Sequence, residues 1–232
     1  MGAEVCALRG IVQGYAGLPV LDELWLTVLP GEFVAVVGPS GCGKSTLLNL
    51  LAGFAEPQAG ELHRPVATRM VHQQDGLLPW LTAAGNIALG LGSKDEADPR
   101  LSGWLRLAGL EAFAGYYPHQ LSGGMRRRVE LARVLAGPAD LLLLDEPFGA
   151  LDGLTRRRIH AELMRLLALQ PRAVVLVTHD IEEAVTLADR VIVLSPRPAR
   201  VRCELPLDAP RPRPLAAALP AMQRILAELE EA

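Results

Sequence analysis

Short apolar runs alternating with helical patterns put this 232-residue chain in the α/β class. The runs are Phe33-Val34-Ala35-Val36-Val37, Leu141-Leu142-Leu143-Leu144 and Val174-Val175-Leu176-Val177. Each has the length of a strand buried on both faces of a parallel sheet. Between the first two, from Thr82 to about Val134, β-branched residues are scarce and apolar ones follow helical spacing (Ile87, Leu89, Leu91, Leu101, Trp104, Leu105, Leu107). A helical insert with a polar loop from Gly92 to Pro99 follows from that change.

The bulk properties bound the function. Half the residues are apolar and mean hydropathy is +0.23, so the chain is globular, as one domain or two tightly joined lobes. A net charge of −3 gives no overall attraction to nucleic acid or anionic lipid, and the triplets Arg126–Arg128 and Arg156–Arg158 read as solvated helix faces. Three scattered cysteines without a C-x-x-C pair imply reduced thiols in the cytosol. No signal-peptide pattern and no apolar run near the ~18 residues of a membrane helix occur, so a membrane role has to come through a partner.

In chain order, Val5–Leu8 and Leu24–Val28 read as strands, with Gly10, Gly14, Gly17 and Pro19 as turns between them. Tyr15 lies there as a lone aromatic, either a loop plug or a platform for a base. The run Phe33–Val37 then enters Gly38-Pro39-Ser40-Gly41-Cys42-Gly43-Lys44-Ser45-Thr46, followed by a leucine-rich helix that stops at Gly53. Strand, glycine loop and helix form the context in which G-x-x-x-x-G-K-[ST] cradles polyphosphate. The glycines let backbone N–H groups converge at the positive end of the helix, Lys44 supplies a cation, and the Ser45 hydroxyl suits Mg²⁺. The chain has two lysines, Lys44 and Lys94, and uses arginine elsewhere; one of the two stands in this loop.

Glu56–Gly60 is a turn into a strand that ends near Met70-Val71. The polar stretch His72–Gly76 follows, and Gln73 there is either an ordinary loop amide or one placed to touch a nucleotide-bound metal. Leu121-Ser122-Gly123-Gly124-Met125 precedes a helix from Arg126 to Ala136; Ser122 fits its N-cap, and the exposed glycine pair makes an anion site. Asp145 and Glu146 close the leucine strand where open α/β sheets hold ligands, so Asp145 suits Mg²⁺ through water and Glu146 an attacking water. Phe148–Asp152 turns into a helix from about Leu154 to Leu169, and the next strand ends in His179 beside the same site. Helix Ile181–Ala188 and strand Arg190–Leu194 complete the unit. Beyond Ser195, Pro and Arg dominate an extended segment, and Leu219, Met222, Ile225, Leu226 and Leu229 form one stripe of a closing helix that packs on the domain or on a second copy.

Taken together and in order, these motifs resemble the nucleotide-binding subunit of an ATP-binding cassette transporter. The resemblance rests on Gly38–Thr46, Gln73, Leu121–Met125, Leu141–Pro147, Gly149-Ala150-Leu151-Asp152 and His179. It implies a P-loop NTPase (RecA-like) α/β core with an antiparallel β-subdomain and an inserted helical subdomain. The ATPase domain would span 1–200, its helical part about 74–136, with a Pro/Arg-rich tail at 201–232.

The same resemblance gives Tyr15 to adenine, the loop residues Gly38 to Thr46 to the phosphates, and Ser45, Gln73 and Asp145 to Mg²⁺. Catalytic roles fall to Lys44, Gln73, Glu146 and His179. Leu121, Ser122, Gly123, Gly124 and Asp152 complete the nucleotide set in a head-to-tail homodimer, Ser122 reaching the γ-phosphate of the opposite chain.

A narrower resemblance is to the subunits that energise nitrate, sulfonate and taurine import, through Gly76-Leu77-Leu78-Pro79-Trp80, Asp145–Asp152, Asp180–Val185 running to Asp189-Arg190-Val191, and Leu194–Pro198. Taurine or another sulfonate is the expected cargo, nitrate the next, and a soluble cassette ATPase on ribosomes or DNA the distant alternative. Implied partners are integral-membrane permease subunits and, indirectly, a periplasmic or lipid-anchored solute-binding protein, with no nucleic acid. The implied location is the cytoplasmic face of the cell membrane. His72 departs from the family, where an aromatic is usual, and the helical lobe is short.

Overall fold

The computed structural model describes residues 4–65, 67–73 and 76–230. Strands β1 (Cys6–Tyr15), β2 (Leu18–Val28) and β3 (Phe33–Val37) lead to helix α1 (Lys44–Ala52), then β4 (Ala59–His63) and β5 (Thr68–Val71). Helices α2 (Ala83–Gly90), α3 (Leu101–Ala108) and α4 (Gly123–Ala136) make the insert. The chain then runs β6 (Leu141–Asp145), α5 (Gly153–Leu169), β7 (Ala173–Val177), α6 (Ile181–Leu187), β8 (Arg190–Leu194), β9 (Val201–Pro206) and α7 (Leu215–Glu230).

The main sheet has the order β5-β6-β7-β3-β8-β9, parallel except for β9, and β2-β1-β4 form a separate antiparallel sheet. All residues of β3, β6 and β7 are buried, which is why they read as unbroken apolar runs instead of alternating ones. The two-residue period still sorts their sides. Val34, Val36, Leu141 and Leu143 pack with Leu47, Leu48, Leu50 and Leu51 of α1. Phe33, Ala35, Leu142 and Leu144 pack with Ile159, Leu163 and Leu167 of α5. Each fully buried Val, Leu, Ile or Phe side chain among them contributes about 1.5–3 kcal/mol.

The helical insert has a core of its own, built around Ile87, Leu101, Leu105, Leu110 and Val129. Helix α4 belongs to both lobes, since Leu131, Val134 and Leu135 face the main core while Val129 and Ala132 face the insert. The expected start of the helical lobe near 74 falls on Gln74 and Asp75, outside the described residues.

Four expectations need correction. Gly10 and Gly14 are not turns but lie inside β1. Gly10 (φ +61) forms a bulge where the pairing with β2 shifts between Leu8 and Ile11, and the reversal is made by Ala16-Gly17 (φ +49 and +81) between the paired Tyr15 and Leu18. The arginine triplets are solvated faces only in part, through the exposed Arg157 and Arg158. Arg127 is 4% exposed, Arg128 donates to the carbonyls of Ala108 and Gly109, and Arg156 pairs with Asp180 at 2.9 Å.

The segment after Ser195 is not simply extended, because Val201–Pro206 pairs antiparallel with β8 and so belongs to the sheet; a boundary at 200/201 would cut it. The closing helix packs on its own domain through Ala218, Met222, Ile225 and Leu229, leaving Leu219 and Leu226 exposed, so the predicted stripe divides between two faces. Buried Arg213 anchors it by donating to the carbonyls of Val185, Ala188 and Leu207.

Candidate functional site

A cleft of about 500 Å³ opens at the carboxyl ends of β3, β6 and β7, within the size range of nucleotide pockets. The phosphate loop forms its floor. Gly41 (φ +74) and Gly43 (φ +120) adopt backbone that L-residues avoid, and a Cβ on Gly43 would stand 2.8 Å from Val20 Cγ1. No side chain caps α1, so its first-turn amides stay available at the positive helix end. Lys44 Nζ donates to the carbonyls of Gly38 (2.8 Å) and Pro39 (2.9 Å), which holds the cation over the loop.

Ser45 Oγ donates to Asp145 Oδ2 at 3.0 Å, bringing two hard oxygen donors together from positions 100 residues apart. Burial raises the Asp145 pKa above the ordinary carboxylate range, opposed by the Ser45 hydrogen bond. A hydroxyl and one partly desolvated carboxylate beside a phosphate loop fit Mg²⁺, which takes few protein ligands and completes its shell with phosphate and water. Among the described residues no cluster of three or more His, Cys, Asp or Glu could hold a metal.

Beside Asp145, Glu146 sits at φ +45, and its Oε1 lies 3.2 Å from His179 Nδ1. His179 is exposed on the turn after β7, a turn fixed by Asp180, whose backbone N–H donates to Thr178 Oγ1 and whose carboxylate caps α6.

The cleft gathers Tyr15, Gly38, Ser40, Gly41, Gly43, Lys44, Ser45, Thr46, Gln73, Asp145, Glu146 and His179 from the predicted set. It does not include the others. Pro39 takes part only through its carbonyl, and the Cys42 side chain is buried against the core, where desolvation raises its thiol pKa. Leu121, Ser122, Gly123 and Gly124 start α4 outside the cleft, Ser122 capping it by accepting the Met125 N–H. Asp152 likewise caps α5, accepting from Leu154 and Thr155, which lowers its pKa. His72 stacks its ring on Phe54, with centroids 5.7 Å apart.

Sequence reasoning missed Val20, Val177 and Arg197, which also line the cleft, and Arg127 behind it. Arg197 comes from the β8–β9 connection, and no local pattern pointed to the cleft. Arg127 did carry a signal: it lies four and seven positions before Leu131 and Val134, on the buried stripe of α4.

Fold and site together define a phosphate-binding α/β ATPase core with an inserted helical lobe. The sequence profile of the family described as ABC transporter matches residues 21–149. The taurine import ATP-binding protein TauB of Escherichia coli O157:H7 is 47% identical over 209 residues, covering 85% of this chain and 82% of that protein. The nitrate import ATP-binding protein NrtC of Synechococcus elongatus is 46% identical over 208 residues, covering 83% of this chain but 32% of its own length. Among solved structures, a dimeric post-hydrolysis state of the ATP-binding cassette MJ0796 bound to ADP and Pi matches with a TM-score of 0.79 and 32% identity, over 88% of this chain and 99% of that one. The chain belongs to the ABC transporter family.

Proposed function

We propose that this chain is the ATP-hydrolysing subunit of an importer for a small anion, taurine or another sulfonate, working as a head-to-tail homodimer under integral-membrane permease subunits. The observation that carries the reading is the meeting of the phosphate loop, the Ser45–Asp145 pair and the Glu146–His179 pair in one cleft, with Ser122 outside it.

In this reading the loop amides and Lys44 bind the β- and γ-phosphates and Tyr15 stacks on adenine. Ser45 and Asp145, with Gln73 at the rim, would hold Mg²⁺, which when bound neutralises developing phosphate charge. Glu146 orients and polarises the water, and His179 steadies the Glu146 carboxylate through the 3.2 Å contact and reaches the γ-phosphate. Leu121, Ser122, Gly123, Gly124 and Asp152 of a second copy complete the site, so hydrolysis opens the dimer. The helical lobe, about 74–136, offers exposed Trp80 (69%) to the permease. That partner holds the chain at the cytoplasmic membrane face and links it to a solute-binding protein. Among the described residues no helix is long and apolar enough to cross a membrane.

The shared site has a direct test. Lys44→Ala and Ser122→Arg chains should each be inactive alone; mixed one to one, half the dimers carry one intact and one doubly damaged site. Independent sites then return about a quarter of wild-type hydrolysis, and coupled sites return cooperative ATP binding. Mixed dimers confirmed by size that recover neither refute the shared site. For the cargo, a taurine-loaded binding protein should stimulate ATP turnover of the assembled transporter. Stimulation by a nitrate-loaded one would favour the second reading, whose relative this chain spans by only a third.

A further inference from the structure

Arg127 engages every N–H donor that a guanidinium has. Nε donates to the Pro147 carbonyl at 2.9 Å. One terminal nitrogen donates to the carbonyls of Asp145 (2.7 Å) and Glu146 (2.9 Å), and the other to Glu130 Oε2 (2.8 Å) and the His72 carbonyl. Its side chain is 5% exposed and that of Glu130 0%, so the cation is buried and neutralised by a residue one turn along the same helix. Glu130 is held in turn by the Gly76 N–H at 3.3 Å.

The carbonyls of Asp145 and Glu146 belong to the two peptide planes that flank the Glu146 Cα. With both planes tied to one rigid fork, and the Glu146 N–H donating to the Val177 carbonyl at 2.9 Å, the φ and ψ of Glu146 are determined. That backbone is the left-handed one at φ +45, which a glutamate does not keep unless its surroundings impose it. The direction of its Cβ, and so the reach of its carboxylate toward His179, follows from the same ties.

We propose that Arg127 is a positioning residue for hydrolysis, setting the Glu146 carboxylate from behind and tying it to helix α4 and to the backbone just before Gln73. This rests on the ATPase reading above. Because Arg127 is one turn into the helix that Ser122 caps, a shift of the helical lobe reaches Glu146 through the guanidinium without passing through the nucleotide. Lysine cannot replace it, since one nitrogen cannot span four carbonyls and a carboxylate.

The test separates positioning from mere support of a buried charge. Arg127→Met alone strands Glu130, so the informative protein is the double variant R127M/E130Q, which removes both charges and keeps an acceptor for Gly76. It should still fold but melt below wild type, since four carbonyls lose their donor, bind a fluorescent ATP analogue within about threefold of wild type, and show kcat reduced about 100-fold, the scale of a misplaced catalytic group. Arg127→Lys keeps the pairing charge and should still lose at least about tenfold in kcat. Wild-type kcat in either folded variant overturns the proposal, as does a fall in nucleotide affinity matching the fall in kcat. A wild-type protein without ATP hydrolysis refutes the ATPase reading and this role with it, whereas hydrolysis by wild type and by the double variant alike refutes this role alone.

Discussion

Gly43→Ala tests the cradle at its tightest point. The backbone there has φ +120, which an alanine adopts at a cost of about 1–3 kcal/mol. The new Cβ would also stand 2.8 Å from Val20 Cγ1 and 2.9 Å from Leu21 Cδ2, both side chains buried in the β-subdomain packing. Overpacking of that kind adds about 1–3 kcal/mol. The total, about 2–6 kcal/mol, is large against the ~5–15 kcal/mol that stabilises a domain. Part of it is relieved if the loop shifts, and a loop that has moved loses amide contacts to phosphate; each 1.4 kcal/mol so transferred costs about tenfold in ATP affinity. Gly41→Ala is the internal control, because Gly41 (φ +74) has nothing within 4 Å of a Cβ and bears only the conformational cost. Thermal unfolding without nucleotide and ATP titration should therefore show a larger drop in Tm for Gly43→Ala than for Gly41→Ala, with ATP affinity weakened at least about tenfold in the former. Equal melting of the two variants, or wild-type affinity in Gly43→Ala, would refute the packing argument.

Glu146→Gln should keep ATP binding, since every phosphate contact remains, while turnover falls by about 100-fold or more and a stable dimer accumulates in ATP, checked by steady-state hydrolysis and size measurement. Near wild-type turnover would assign the water to another group. Asp145 predicts a pH effect with a definite sign. Its folded pKa is raised, so its contribution to stability is full below the unfolded carboxylate pKa and is lost as pH rises through the folded value. Asp145→Asn should flatten that segment of the Tm-against-pH curve and melt above wild type at neutral pH in the absence of Mg²⁺ and nucleotide, while hydrolysis is abolished. A curve unchanged by the substitution would show that Asp145 does not titrate there.

Local chemistry made much of this protein legible from its residues alone. The phosphate loop could be read because its glycines, lysine and hydroxyl are consecutive, and a loop that cradles phosphate is built from its own backbone. Strands β3, β6 and β7 could be read because burial on both faces leaves no polar position before the strand end, and Asp145, Glu146 and His179 because ligand sites gather at strand ends. Ser122 announced itself as a helix cap for an equally local reason.

What only the tertiary structure decided depends on partners distant in sequence. Gly10 and Gly14 look like turns until β2 and β4 pair on either side of β1, and Val201–Pro206 looks like a tail until β8 supplies its hydrogen bonds. Arg197 enters the cleft because β8 and β9 carry their connection there. Arg127 sits in a row of three arginines that composition cannot tell apart, and the carbonyls that claim it are 18 to 55 positions away. A buried cation needs acceptors on several sides at once, and their convergence exists only after the two lobes have packed against one helix.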